Sequence, residues 1–220
     1  MNETILHHVP FSRSFRILWA LRELGLDFDL KTWSIRDGSL QTPAFKAISP
    51  SGRVPALEID GTVIYESQAI LEYLWDTHSS HAFWPKGDAF HRAKAREWFG
   101  FAETQGGILT TLNVQHLFLR PPAKPSAAVL KMETARLAAS LKMLDRHLGE
   151  HDFLMGNDFS VCDVMFSWNL LAAPYYVAFD GFSNLNAYLG RWQARDAYQT
   201  ARAEDGEQEF YTKSFYEIKE

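Results

Sequence analysis

The first apolar run of the chain, Thr4–Val9, is short, carries two histidines and stops at Pro10; the next apolar positions, Phe15, Leu18, Trp19, Leu21 and Leu24, have helical spacing and close at Gly25. Leu26–Trp33 returns to an extended pattern, so the opening predicts a β-α-β unit with parallel strands and a right-handed crossover. From Asp37-Gly38-Ser39 to Ser49-Pro50-Ser51-Gly52 turn residues dominate, with room for one short helix. Val54–Ile59 and Thr62–Tyr65 then flank Asp60-Gly61, a two-residue hairpin signal that predicts an antiparallel pair. Beyond Ser67, Ile70, Leu71, Leu74 and Trp75 mark a helix that packs back on this sheet.

The pattern then changes. His78–Asp88, with its Ser-Ser, Trp-Pro and Gly-Asp pairs, reads as a linker, and strand signals stop after it. Phe90–Leu119, Ala127–Leu148, Val161–Leu171 and Leu185–Ala194 have helical periodicity, with breaks at Pro121-Pro122, Pro125, Gly149, Gly156 and Gly181. The expected organisation is an α/β domain over residues 1–77 in the order βαβ-α-ββα, a linker over 78–88 and an all-α helical domain over 89–220. Phe159-Ser160-Val161-Cys162-Asp163-Val164 has an N-cap serine, an acid three positions on and a Phe–Val pair around a helix start. Asp163 therefore reads as a capping carboxylate and Cys162 as a buried apolar residue.

Composition narrows the class. The 220 residues are 46% hydrophobic and 22% charged, enough for a sizeable core in one large or two small domains. The formal charge of -5 comes without a dense Lys/Arg stripe, so no nucleic-acid partner is expected. A single cysteine rules out an intrachain disulfide framework and a cysteine-based zinc pattern, and it points to a reducing compartment. The N-terminus lacks the features of a signal peptide and no apolar run reaches membrane-spanning length, so the expected location is cytoplasmic, with no membrane partner. There the sequon-like Asn2-Glu3-Thr4 would meet no glycosylation enzyme. His7, His8, His78, His81 and His91 show no metal spacing; they receive no role, and no metal is expected.

Polar residues at helix starts offer the chemistry. Ser12 and Ser14 precede the first helix, where a hydroxyl donor and the positive end of the helix dipole both stabilise a thiolate, although a serine there also simply caps a helix. Glu66 and Ser67 stand at a strand-to-helix junction, where helix amides and a hydroxyl can hold a carboxylate while Glu66 attracts an ammonium. As an isolated X-Pro bond, Val54-Pro55 is expected trans.

Ser51–Leu71, with Val54-Pro55 before the hairpin and Glu66-Ser67 opening the helix, resembles the glutathione-binding core of the cytosolic glutathione transferases. Ser12–Leu26 is similar to the first active-site loop and helix of the serine-type members, and the Ser160…Asp163 box falls where the family's second domain carries one. The resemblance implies a thioredoxin-like N-terminal domain, a cis Val54-Pro55 bond and an outward-facing Val54 backbone that pairs with extended glutathione. It implies a glutathione site of Gln41, Arg53, Val54, Pro55, Glu66 and Ser67, and a thiolate held by Ser12 or Ser14, with Ser12 favoured. Arg13 stands where bacterial beta-type members have cysteine, which argues against a mixed-disulfide mechanism.

For the second substrate, a small hydrophobic electrophile, the resemblance picks out Phe11, Phe101 and Tyr175 from a set of aromatic residues expected mostly in the core. The implied activity is glutathione S-transfer, of the kind used in detoxification, with glutathione as co-substrate and a symmetric homodimer as the usual assembly. A specialised isomerase, dehalogenase, lyase or peroxidase, or a non-catalytic binding protein of the same fold, are the alternatives.

Overall fold

A computed structural model describes residues 4–78 and 80–218, which leaves Asn2 and Glu3 of the sequon outside the described residues. The chain divides into two compact units. One runs to Lys86 and also takes in Gln193–Glu209; the other comprises Gly87–Trp192 and the segment from Phe210 onward.

The first unit follows the predicted order. β1 (Ile5–His8), α1 (Phe15–Glu23), β2 (Asp29–Thr32), α2 (Pro43–Ile48), β3 (Ala56–Ile59), β4 (Thr62–Tyr65) and α3 (Ser67–Thr77) build a four-stranded sheet of order β2-β1-β3-β4. β1 runs parallel to β2, from Ile5 opposite Asp29 to His8 opposite Thr32, and antiparallel to β3. Asp60 (φ 51°) and Gly61 (φ 75°) make the β3–β4 turn with both central residues left-handed, as a tight hairpin needs. α2 occupies the turn-rich segment, with Thr42 as N-cap accepting from the Phe45 N–H and Pro43 in the first turn. This is the thioredoxin-like arrangement expected for the N-terminal domain.

The helix α9 (Asp196–Asp205) corrects the boundary at 89: Gln193–Glu209, assigned from the sequence to the helical domain, packs with the first unit. Tyr198 meets Trp19 edge-on at 4.9 Å and Phe15 at 5.9 Å between ring centroids. Arg22 forks onto Glu204 at 2.8 Å and Arg195 onto Glu23 at 2.7 Å. A helix anchored by one aromatic ring and ion pairs leaves little hydrophobic periodicity to read. With α3 and β1 also packed on α1, every residue from Phe15 to Leu21 is buried, Arg16 included. The linker expectation is corrected as well. Phe83 and Trp84 are buried, and Trp84 stacks on Trp75 with the ring planes 5° apart.

The second unit is helical. α4 (Ala89–Asn113) starts at Asp88, whose carboxylate accepts from the Phe90 and His91 N–H groups, and ends in a π-turn over Val114–Phe118. α5 (Ala127–Leu148) is capped by Ser126, and α6 (Val161–Met165), α7 (Ser167–Ala172) and α8 (Ser183–Gln193) complete it. The single helix predicted over Val161–Leu171 is thus two, divided at Phe166.

Asp163 closes the expected capping box and does more. Its carboxylate accepts from the Ser160 N–H (2.7 Å) and hydroxyl (3.1 Å), the Leu154 N–H (3.0 Å) and the Tyr188 hydroxyl of α8 (2.6 Å). Burial still pushes its pKa up to about 6. Burial likewise raises the pKa of the neighbouring Cys162 thiol, which keeps it inert. Among the described residues no helix is long and apolar enough to cross a membrane, and no cluster of His, Cys, Asp and Glu is arranged to hold a metal ion.

Candidate active site

In the first unit, Arg13, Ser49, Ser51, Arg53, Val54, Pro55, Tyr65, Glu66 and Ser67 line a polar recess of about 30 Å³. That is room for roughly two waters or one carboxylate group. Arg53, Val54, Pro55, Glu66 and Ser67, assigned from the sequence, are all in it, and the Val54-Pro55 bond is cis. Gln41 does not line the recess. Its side chain lies against Gly52 instead, where a Cβ would stand 2.9 Å from Gln41 Nε2 and from the Leu40 carbonyl, so that φ of +64° and this close approach both require glycine.

Glu66 joins β4 to α3 with φ 73°, a conformation costly for a non-glycine residue that persists where surrounding structure enforces it. The turn places Glu66 in the lining of the recess while Ser67 is buried at the helix start. There Arg16 Nη1 donates to Ser67 Oγ at 2.8 Å. Because a guanidinium only donates, Ser67 accepts from it and keeps its own proton to donate elsewhere. A buried cation and the α3 N-terminus thus converge beside a free hydroxyl proton, an arrangement suited to an anion. Arg16 was missed in the sequence, where it reads as one polar position on an apolar helix.

The two candidate serines differ sharply. Ser12 is half-buried beside the recess-lining Arg13, whereas Ser14 is fully buried. Ser14 stands at the N-cap position of α1, where a serine can cap the helix, and it does not do so. Ser14 already has helical dihedrals (φ -66°, ψ -19°), so its hydroxyl points back to β1 and makes no cap bond. It lies 2.8 Å from His8 Nδ1, 3.2 Å from both the N and O of Val9, and 2.8 Å from Ser12 Oγ. His8, given no role in the sequence reading, faces α9 through Nε2, 3.0 Å from the Asp205 carbonyl and 3.3 Å from its carboxylate. Residues 8, 12 and 14 meet on the β1–α1 connection, and α9 packing on α1 brings Asp205 to them.

Phe11, proposed for the electrophile, is buried at the same place. It has φ 58°, its N–H donates to Asp205 Oδ1 at 3.2 Å, and the Arg202 guanidinium lies 5.8 Å from its ring centroid. Phe101 packs in the helical unit against Phe166 and Trp98, and Tyr175 stacks on Tyr211 at 3.8 Å. That unit holds a larger cavity, about 600 Å³, lined by His116, Lys124, Pro125, Ala127, Leu130, Lys213, Phe215, Tyr216 and Glu217. Neither Phe101 nor Tyr175 lines it, though the Tyr175 carbonyl accepts from the N–H of Tyr216 at 2.8 Å. Burial, helped by Lys213, lowers the pKa of His116, so its ring is neutral at neutral pH.

Comparison with known proteins supplies the family. Residues 11–77 match the glutathione S-transferase N-terminal domain and residues 109–196 the glutathione S-transferase C-terminal domain. Glutathione S-transferase 3 of Schizosaccharomyces pombe is 26% identical over 84% of this chain and 81% of its own length. Maleylacetoacetate isomerase of Dictyostelium discoideum is 31% identical over 74% of this chain and 76% of its own. The crystal structure of a glutathione transferase from Methylococcus capsulatus superposes with a TM-score of 0.78 at 29% identity, covering 92% of this chain and 98% of that one. With both domains matched in order and the fold shared along almost its whole length, the chain belongs to the cytosolic glutathione S-transferase family.

Proposed function

We propose that this protein is a serine-type glutathione transferase: it binds glutathione at the recess of the first unit, holds the thiolate with Ser12 and delivers it to a hydrophobic electrophile. The observation that carries the reading is the recess itself, where Arg53, Val54, Pro55, Glu66 and Ser67 stand together with Arg13, the residue between Ser12 and Ser14. Ser67, backed by Arg16, takes the γ-glutamyl carboxylate, Glu66 its ammonium and Arg53 the glycine carboxylate. Gln41, beside Gly52, supports the same end. Ser12 is the sulfur ligand because its hydroxyl is half-exposed, whereas Ser14 is surrounded by four polar atoms.

The helical unit holds the electrophile. Its cavity sets the apolar surfaces of Leu130, Phe215 and Tyr216 beside Lys124, Lys213 and Glu217, which suits a hydrophobic electrophile bearing a polar group. The protein works in the cytoplasm as a homodimer, which size-exclusion chromatography with light scattering would test. The likeness to a maleylacetoacetate isomerase supports a second reading: the thiolate adds reversibly to an activated double bond and isomerises it instead of remaining attached.

The test is titration with glutathione followed by turnover of an electrophile panel that includes aryl halides, epoxides, peroxides and maleylacetoacetate. Thioether products are expected, and isomerised maleylacetoacetate without conjugate would favour the second reading. No glutathione binding at millimolar concentration would overturn both. Ultraviolet titration of bound glutathione reads the serine assignment. Ser12→Ala removes a charge-assisted bond worth about 1.5–3 kcal/mol and is expected to raise the thiol pKa by roughly one to two units, and Ser14→Ala by less. A larger shift in Ser14→Ala would reverse the two roles.

A further inference from the structure

We infer that His8 accepts the proton of the glutathione thiol through Ser12 and Ser14, and that Asp205 on α9 holds the resulting imidazolium. This rests on the glutathione reading above and gives that site an internal proton acceptor, with His8 acting through the serines and not touching the sulfur.

The hydrogen bonds allow transfer in one direction, toward His8. Both partners of His8 Nε2, the carbonyl and carboxylate oxygens of Asp205, can only accept, so Nε2 carries a proton whether the ring is neutral or charged. In the neutral ring Nδ1 is then a lone pair, and Ser14, 2.8 Å away, donates to it. Ser14 Oγ in turn accepts from the Val9 N–H at 3.2 Å and from the Ser12 hydroxyl at 2.8 Å. Ser12 Oγ accepts from the Ser14 N–H at 3.2 Å and has a second lone pair to face a thiol. The Val9 carbonyl, 3.2 Å away, is a second acceptor for the Ser14 proton. When Ser14 donates to His8 instead, its proton is used and the Ser12 hydroxyl must donate to Ser14, so both protons point toward His8.

The step balances within the site. The S–H bond breaks and sulfur keeps the electron pair. The thiol proton binds Ser12 Oγ, the Ser12 proton passes to Ser14 Oγ and the Ser14 proton to His8 Nδ1. Thiol and imidazole become thiolate and imidazolium, and all three hydrogen bonds reverse, so the Ser12 proton now faces the thiolate.

Between free groups the transfer is unfavourable by about 100-fold, because a thiol and an imidazole differ by roughly two pKa units. Charged and polar groups face His8 from each element packed against it. α9 presents the buried Asp205 carboxylate, itself paired with Arg202 and accepting from the Phe11 N–H. α1 presents the Ser14 hydroxyl, and on β2 the register neighbour is the uncharged Thr32. On β1 itself His7 pairs away from this cluster, with Glu58 at 2.6 Å. An internal transfer also leaves the net charge of the site unchanged, whereas releasing the proton to solvent leaves an added buried anion.

The experiment uses the full-length protein saturated with glutathione near neutral pH. Thiolate is read by ultraviolet difference absorbance and protons released by calorimetry in buffers of different ionisation enthalpy. The parent protein is expected to form thiolate with well under one proton released per thiolate, and the His8 ring ¹⁵N signals to move to imidazolium positions. S-methylglutathione, which has no thiol proton, should leave those signals in place. His8→Asn keeps an acceptor for Ser14 but no base; Ser14→Ala cuts the chain and leaves the His8–Asp205 contact. Both should form about tenfold less thiolate at the same pH and release one proton for each thiolate formed. One proton per thiolate in the parent, or parent-like thiolate and proton release in both variants, overturns the relay and leaves the glutathione reading intact. Absence of glutathione binding overturns that reading, and the relay with it.

Discussion

Replacing Glu66 and Ser67 together by alanine is expected to weaken glutathione binding by at least about 100-fold while the fold survives. Each removed group is assigned a charge-assisted hydrogen bond to the γ-glutamyl end, and two such bonds are worth roughly 3–6 kcal/mol in total. The structure sharpens the reason for Ser67. Arg16 fills its acceptor side at 2.8 Å and leaves its proton free for a carboxylate. Alanine at 66 faces the same left-handed backbone cost as glutamate at φ 73°, so the substitution adds no new strain there. Isothermal titration reads the affinity, and far-ultraviolet circular dichroism with urea unfolding reads the fold. Parent-like affinity in the double variant would reduce Glu66-Ser67 to a turn and a helix start.

Asp163→Ala is expected to cost about 4 kcal/mol or more of stability. Its carboxylate serves two N–H groups and two hydroxyls, all tied to α6, α8 and the Leu154 segment. Leaving several buried donors unmet costs about 1–3 kcal/mol each, less than additively within one network. The measurement is the urea midpoint at unchanged m-value. A midpoint near that of the parent would mean that the segment repacks around the loss.

The same carboxyl predicts a pH dependence. Burial raises its folded pKa from 3.8 to about 6, so the group favours the folded state most when protonated. That contribution is fully present below about pH 4 and is lost as pH rises through about 6, because the unfolded chain gives up its proton first. The two-unit gap corresponds to about 3 kcal/mol. The stability difference between the parent and Asp163→Asn should accordingly shrink between pH 4 and pH 6 and be flat above pH 7. A difference that grows across that window would mean that the four donors outweigh burial.

Sequence by itself determined the local elements and the recess. Pro10, Gly25 and Asp60-Gly61 punctuate β1, α1 and the β3–β4 hairpin where the structure has them, because turn chemistry and apolar spacing act over a few neighbours. The capping box at Ser160–Asp163 was legible for the same reason. The recess was legible because Val54, Pro55, Glu66 and Ser67 fall on one hairpin and the helix after it, so their spacing in the chain is nearly their spacing in space.

What only the tertiary structure decided lies at long range. Nothing between residues 8 and 205 marks them as partners; they meet because α9, whose sequence is mostly polar, packs on the buried helix α1. Arg16 becomes a support for Ser67 only once α1 and α3 are neighbours, 51 positions apart in the chain. Phe83 and Trp84, in what reads as a linker, become core when Trp75 offers a stacking face. In each case the deciding energy is a contact between distant segments, and periodicity records that a face is apolar or polar without recording what covers it.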